Sequence, residues 1–136
     1  MTYTVKKLSE ISGVTVRTLH FYEEAGLLKP AYYGANGYRY YEEKELLQLQ
    51  QILFFKELAL CIEKGLDLAD GKVQKIIKKH HAFAEQTHSA TQEVYKAMTQ
   101  LYAEHPEFRK QLDPFHPELA VFMAKAMKIF ADRELS

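Results

Sequence analysis

The sequence predicts a mainly α chain: two short helices about a tight turn, a small two-stranded hairpin, then a bundle of amphipathic helices. Three observations carry that expectation. Val5, Leu8 and Ile11 recur three residues apart ahead of Gly13. Pro30, Gly34, Asn36 and Gly37 punctuate a tyrosine-rich stretch. From Glu43 onward apolar residues return at helical spacing almost to the last residue.

Taken in order, Thr2 to Thr4 read as extended, and Thr4 can cap a helix from Val5 to Ser12. Gly13 suits a sharp turn that needs a positive φ. Thr15 then caps a second helix to about Ala25, with Val16, Leu19 and one of Phe21 and Tyr22 turned inward, and Gly26 stops it. Aromatic residues at 32, 33, 38, 40 and 41 favour extended pairing, with the hairpin turn at Gly34-Ala35-Asn36-Gly37.

Glu42 or Glu43 starts a third helix, where negative charge meets the positive end of the helix dipole. Its apolar residues Leu46, Leu49, Ile52 or Leu53, and Phe54 or Phe55 face the first two helices. Ala59 to Lys64 can continue as a short helix before a connector at Gly65 to Gly71, which divides residues 1–70 from residues 71–136. Beyond it, Lys72 to about His88 and Thr91 to Glu104 are amphipathic helices. Pro106 to Gln111 is expected to be a turn and Asp113 to Pro117 an elbow. A last helix from Pro117 to about Glu134 carries the stripe Leu119, Phe122, Met123, Ala126, Ile129 and Phe130.

Composition narrows the function. The 136 residues carry 18 basic and 18 acidic side chains, so bulk charge does not favour nucleic acid, and any such face must come from local placement. Residues 1–58 are balanced as well, with seven of each sign. No run approaches the ~20 apolar residues of a membrane span, and no cationic presequence opens the chain, so a cytoplasmic protein without a membrane partner is expected. The single cysteine, Cys61, cannot form an internal disulfide and reads as a small buried apolar residue.

Two helices about Gly13 with a hairpin behind them make a winged helix-turn-helix. Arg17 stands one turn inside the second helix, where a recognition helix meets base edges or phosphates. Thr15, Thr18 and His20 are donors on the same side. In the wing, alternation along Tyr38-Arg39-Tyr40 sets Arg39 against two tyrosines that pack inward, freeing the cation for the minor groove or backbone.

Residues 2–58 resemble the DNA-binding domain of the MerR family of transcription regulators. The resemblance rests on Val5 to Val14, on Arg17-Thr18-Leu19-His20-Phe21-Tyr22 with Gly26-Leu27-Leu28, on Gly37 to Tyr41, and on Gln51 to Leu58, in that order and spacing. It implies binding to double-stranded promoter DNA as a distorted near-palindrome, acting on RNA polymerase indirectly. It also implies DNA contacts from Arg17, Tyr22, Tyr38 and Arg39, and a phosphate contact from Lys56.

A second resemblance covers the C-terminal half. Val73 to Ile77 with His80, Glu93 to Met98, Leu101-Tyr102, Pro106-Glu107-Phe108 and Ala120 to Met127 are similar to the later part of the TipA-type antibiotic-recognition (TipAS) domain. That implies a shortened, partly globin-like helical sensor for a hydrophobic, antibiotic-like ligand. Tyr95, Tyr102, Phe108, Phe115, Phe122 and Phe130 are the candidates to line its groove, with plain core packing as the competing reading. Residues 59–72 leave no room for the long helix that joins MerR-type dimers, as if the ends of a longer regulator had been fused, so a homodimer would need a non-standard interface.

Two alternatives share these residues: a small-molecule sequestering protein, and a DNA-bending accessory protein like a phage excisionase. A metal site at His81, Glu85 and His88 with help from His116 is weighed and set aside, because one helix seldom supplies a complete ligand set. With no paired carboxylates, Ser/His/Asp set or glycine-rich phosphate loop, neither catalysis nor a cofactor is expected.

Overall fold

The computed structural model describes residues 1–87 and 89–135, the side chain of Thr87 excepted. The elements run β1 (Tyr3–Thr4), α1 (Val5–Ser12), α2 (Val16–Glu24), β2 (Tyr32–Tyr33), β3 (Arg39–Tyr41), α3 (Glu43–Glu63), α4 (Gly71–Thr87), α5 (Gln92–Glu104), α6 (Pro106–Leu112) and α7 (Leu119–Glu134). They form two compact units, one of Met1–Leu53 and one from Phe54 onward.

The change of unit falls inside α3, not at the Gly65–Gly71 connector expected from composition. No glycine or proline interrupts residues 43–63, so the helix runs through. Its later residues Phe55, Leu58 and Cys61 belong to the core of the second unit.

In the first unit both helix starts are built as expected. Thr4 accepts a hydrogen bond from the Lys7 amide at 3.1 Å, and Thr15 one from the Thr18 amide at 3.1 Å. Gly13, at φ +76, ends α1 by donating its amide to Ser9 O at 3.0 Å, a left-handed conformation that costs a glycine nothing sterically. Leu8, Leu19, Tyr22, Leu28, Tyr41, Leu49 and Ile52 are buried, whereas Ile11, three residues after Leu8, is 48% exposed.

The wing has one strand more than expected. Its sheet is antiparallel in the order β1-β3-β2, with Tyr3 opposite Tyr41 and Tyr33 opposite Arg39. The reason is that β3 has two edges to satisfy: the hairpin partner β2 takes one and the extended start of the chain the other. At the hairpin, the Gly37 amide closes on Gly34 O at 2.9 Å.

The second unit buries Tyr95, Tyr102, Leu112, Leu119, Met123, Met127 and Phe130 with Val73 and Ile77 of α4. Thr91 caps α5 through the Val94 amide. Residues 106–112 form a helix, α6, where a turn was expected: Pro106 starts it, where a missing amide costs nothing, and His105 caps it through the Glu107 amide. The last helix starts at Leu119, two residues after Pro117. No helix among the described residues is long and apolar enough to cross a membrane.

Candidate nucleic-acid interface

The face of α2 begins at its cap. The Thr15 hydroxyl lies 2.8 Å from the Thr18 hydroxyl while it accepts the Thr18 amide, so both threonines are engaged in holding the first turn. Arg17 is exposed and Thr18 and His20 are half-buried beside it. Phe21, four residues after Arg17 and hence on the same face, is 59% exposed. It is Tyr22 that turns inward, at 3% exposure, with burial raising its phenol pKa.

Arg39 differs most from its expected place. Its Nε donates to Oε1 of Glu23 on α2 at 2.5 Å. The other Glu23 oxygen, Oε2, accepts the Tyr33 hydroxyl of the wing. One Arg39 terminal nitrogen lies 3.3 Å from His20 Nε2, and the guanidinium carbon 5.8 Å from the Tyr33 ring centroid. The expected free cation is therefore paired with a carboxylate of the recognition helix. Tyr38, expected to pack inward, is 65% exposed; it lies beyond the last β2–β3 pair, Tyr33 with Arg39. Tyr40 instead stacks on Tyr32 with ring centroids 5.3 Å apart.

Thr4, Val5, Lys6, Val16, His20, Gly37, Tyr38 and Arg39 line a depression of ≈ 440 Å³. It brings together the start of α1, the side of α2 and the wing tip. Thus Arg17, Thr18 and His20 share α2, Arg39 and Tyr38 stand on the wing, and Tyr22 is withdrawn into the core. Lys56 is exposed on the part of α3 that belongs to the second unit. Sequence reasoning missed Phe21, Glu23 and Tyr33. Helical spacing held the signal for Phe21, four residues past Arg17; Glu23 needed the pairing of strands.

The six aromatics proposed to line a groove are core residues. Tyr95, Tyr102 and Phe130 are at most 5% exposed, and Phe108, Phe115 and Phe122 pack partly buried against them. Edge-on contacts fill the space: Tyr102 with Phe108 at 5.2 Å and Tyr95 with Phe130 at 6.0 Å. Of the two readings weighed for these rings, the packing found here is that of a core.

Among the histidines weighed for metal, His81 donates Nε2 to Ala90 O at 2.8 Å and pairs with Glu85 at 3.2 Å. His116 Nδ1 accepts the Glu118 amide at 3.0 Å. His88 lies outside the described residues. Cys61 is buried, and desolvation pushes its thiol pKa up, away from thiolate reactivity.

Two known families match this chain over overlapping segments. Residues 35–130 match the TipAS antibiotic-recognition domain, and residues 4–47 the MerR family regulatory protein. The chain belongs to the TipAS family. Its TipAS match starts in the wing turn, well ahead of the division expected after residue 70, and its MerR-family segment holds the whole α2 face described above.

Among relatives of this TipAS-family chain, the HTH-type transcriptional regulator SkgA of Caulobacter vibrioides is 52% identical over 75 residues, 49% of this chain and 29% of SkgA. The HTH-type transcriptional activator mta of Bacillus subtilis is 46% identical over 70 residues, 52% of this chain and 27% of mta. TipA of Streptomyces coelicolor, also an HTH-type transcriptional activator, is 43% identical over 70 residues, 52% of this chain and 28% of TipA. The matches span less than a third of these relatives' lengths. A crystal structure of SkgA from Caulobacter crescentus has 33% identity and a TM-score of 0.42, covering 90% of this chain and 86% of that one.

Proposed function

We propose that the chain is a MerR-type transcription regulator that binds double-stranded promoter DNA through its winged helix-turn-helix and acts on RNA polymerase indirectly. The observation that carries this reading is the α2 face: a capped helix start with Arg17 exposed beside Thr18, His20 and the exposed Phe21, flanked by the wing. An arginine one turn into a recognition helix reaches guanine edges or phosphates through its planar fork. MerR-family descriptions and the names of SkgA, mta and TipA support the same role. DNA contacts are assigned to Thr15, Arg17, Thr18, His20, Tyr38 and Arg39, with Lys56 as a phosphate contact. Tyr22 is left out on account of its burial.

One winged unit reaches few phosphates, so two copies on a two-fold site belong to the proposal. The test is a salt-dependent shift assay on the DNA upstream of the chain's own gene, with gel-filtration mass. Arg17→Ala should weaken binding by about 1–3 kcal/mol. Unchanged affinity, or a strict monomer at high micromolar concentration, counts against it.

The TipAS description supports a ligand-responsive second unit that takes a hydrophobic antibiotic. Since the six aromatics are packed together, such a ligand must open the core to reach them. A thiopeptide that binds should therefore move the melting temperature, and no shift across a panel of amphipathic antibiotics argues against the role.

A further inference from the structure

We infer that Glu23 is a charge latch on the reading head: a positioning residue that holds Arg39 and Tyr33 of the wing against α2 and so restrains the wing's cation from DNA phosphates. The inference deepens the reading of this unit as a DNA-binding head and rests on it. Both oxygens of one carboxylate are spent on the wing, Oε1 on Arg39 Nε and Oε2 on the Tyr33 hydroxyl. The carboxylate is carried by the helix proposed to read DNA, three residues after His20, whose ring also lies beside Arg39. Side-chain exposures of 31% for Arg39 and 19% for Glu23 put the pair partly out of water, where salt screens it less than an exposed pair.

The consequence follows from what a guanidinium can bind. Carboxylate and phosphate compete for the same planar donors. A duplex approaching the wing therefore meets a neutralised pair in place of a free cation. To use Arg39, the phosphate must draw it off Glu23, which favours sites where Arg17 and the rest of α2 are already seated. Glu23 thereby lowers binding to DNA of arbitrary sequence and raises the ratio of specific to non-specific affinity. Neither the neutral overall charge nor the balanced charge of residues 1–58 suggests such a device, because it lies in pairing and not in count.

The test is fluorescence anisotropy with the full chain on a mixed-sequence duplex and on its own upstream DNA, over a range of salt. Glu23→Gln should tighten binding to the mixed-sequence duplex by about threefold to tenfold at low salt and steepen the logarithmic salt slope by about 0.9, one added phosphate contact. In an Arg39→Ala background the same change should leave the slope unchanged, since no guanidinium is then released to make the added phosphate contact. Tyr33→Phe keeps the carboxylate on Arg39 and should leave the slope unchanged. Glu23→Ala serves as a second carboxylate-free variant if Glu23→Gln melts early. Unchanged affinity and slope in the folded carboxylate-free variant would overturn the latch, as would a loss of binding matching that of Arg39→Ala. Wild-type binding that Arg17→Ala weakens but Glu23→Gln leaves alone removes the latch and keeps the DNA reading. Absence of salt-dependent wild-type binding to either duplex removes both.

Discussion

His80 Nδ1 lies 2.9 Å from the Tyr95 hydroxyl, inside the core of the second unit. His80 is 1% exposed and Tyr95 fully buried, and the Tyr102 hydroxyl stands 3.5 Å from His80 Nε2. His80, on α4, is thus a satisfied core residue. Tyr95→Phe keeps the ring's packing but removes one of the imidazole's partners. The expected cost is about 1–2 kcal/mol, read as a lower urea midpoint with an unchanged m-value. A neutral result would show that this contact contributes nothing net.

Burial raises the Tyr95 phenol pKa far above its usual value, and the nearby Tyr102 adds to it. Tyr22 and Tyr41 shift the same way. The sign follows from which state ionises first. Below the ordinary phenol pKa of 10.0 both states keep the proton and stability does not depend on pH through these groups. Above it the unfolded chain loses protons that the folded chain retains, so stability falls by up to about 1.4 kcal/mol per pH unit through Tyr95, and Tyr22 and Tyr41 act in the same direction. Denaturant midpoints should hold steady up to that pH and then drop, and Tyr95→Phe should flatten the drop. A steady midpoint well above it would contradict the burial.

Tyr41 offers the opposite kind of test. The residue is fully buried, and its hydroxyl has no hydrogen-bond partner among the described residues. An unpaired buried hydroxyl costs about 1–3 kcal/mol, so Tyr41→Phe should raise the melting temperature, where most core changes lower it. DNA affinity should not move, because the ring lies inside the unit. A lower melting temperature would mean that the hydroxyl is satisfied.

Elements whose signals are local were legible in the sequence. The caps at Thr4 and Thr15 and the turn at Gly13 each depend on a few neighbouring residues, and they stand as expected. What depends on distant pairing was not legible. The third strand needs Tyr3 to meet Tyr41. The capture of Arg39 needs Glu23, sixteen residues earlier in the chain, and alternation along the wing alone treated that arginine as free. The division inside α3 was hidden for another reason: a connector rich in Gly and Asp looks like a boundary whether or not the helix before it has already joined the next core. The aromatics of the second unit were ambiguous by nature, since rings at helical spacing fit a groove wall and a core equally well until their neighbours are known.

Thr15 is where fold and proposed function can be separated by two substitutions. Its hydroxyl caps α2 by accepting the Thr18 amide, and its exposed position on the α2 face places it within the proposed DNA contact. Thr15→Ala removes the cap and should cost about 1 kcal/mol of stability. Thr15→Asp retains a capping oxygen and adds a charge that suits the helix N-terminus, so stability should hold or rise. The same charge faces phosphate, however, and DNA binding should weaken about tenfold at low salt, less at high salt, by Coulomb repulsion at a screened distance. Paired melting and anisotropy measurements on the two variants give the answer. A stable Thr15→Asp protein with undiminished affinity would place the start of α2 away from the duplex, and with it the proposed orientation of the recognition helix.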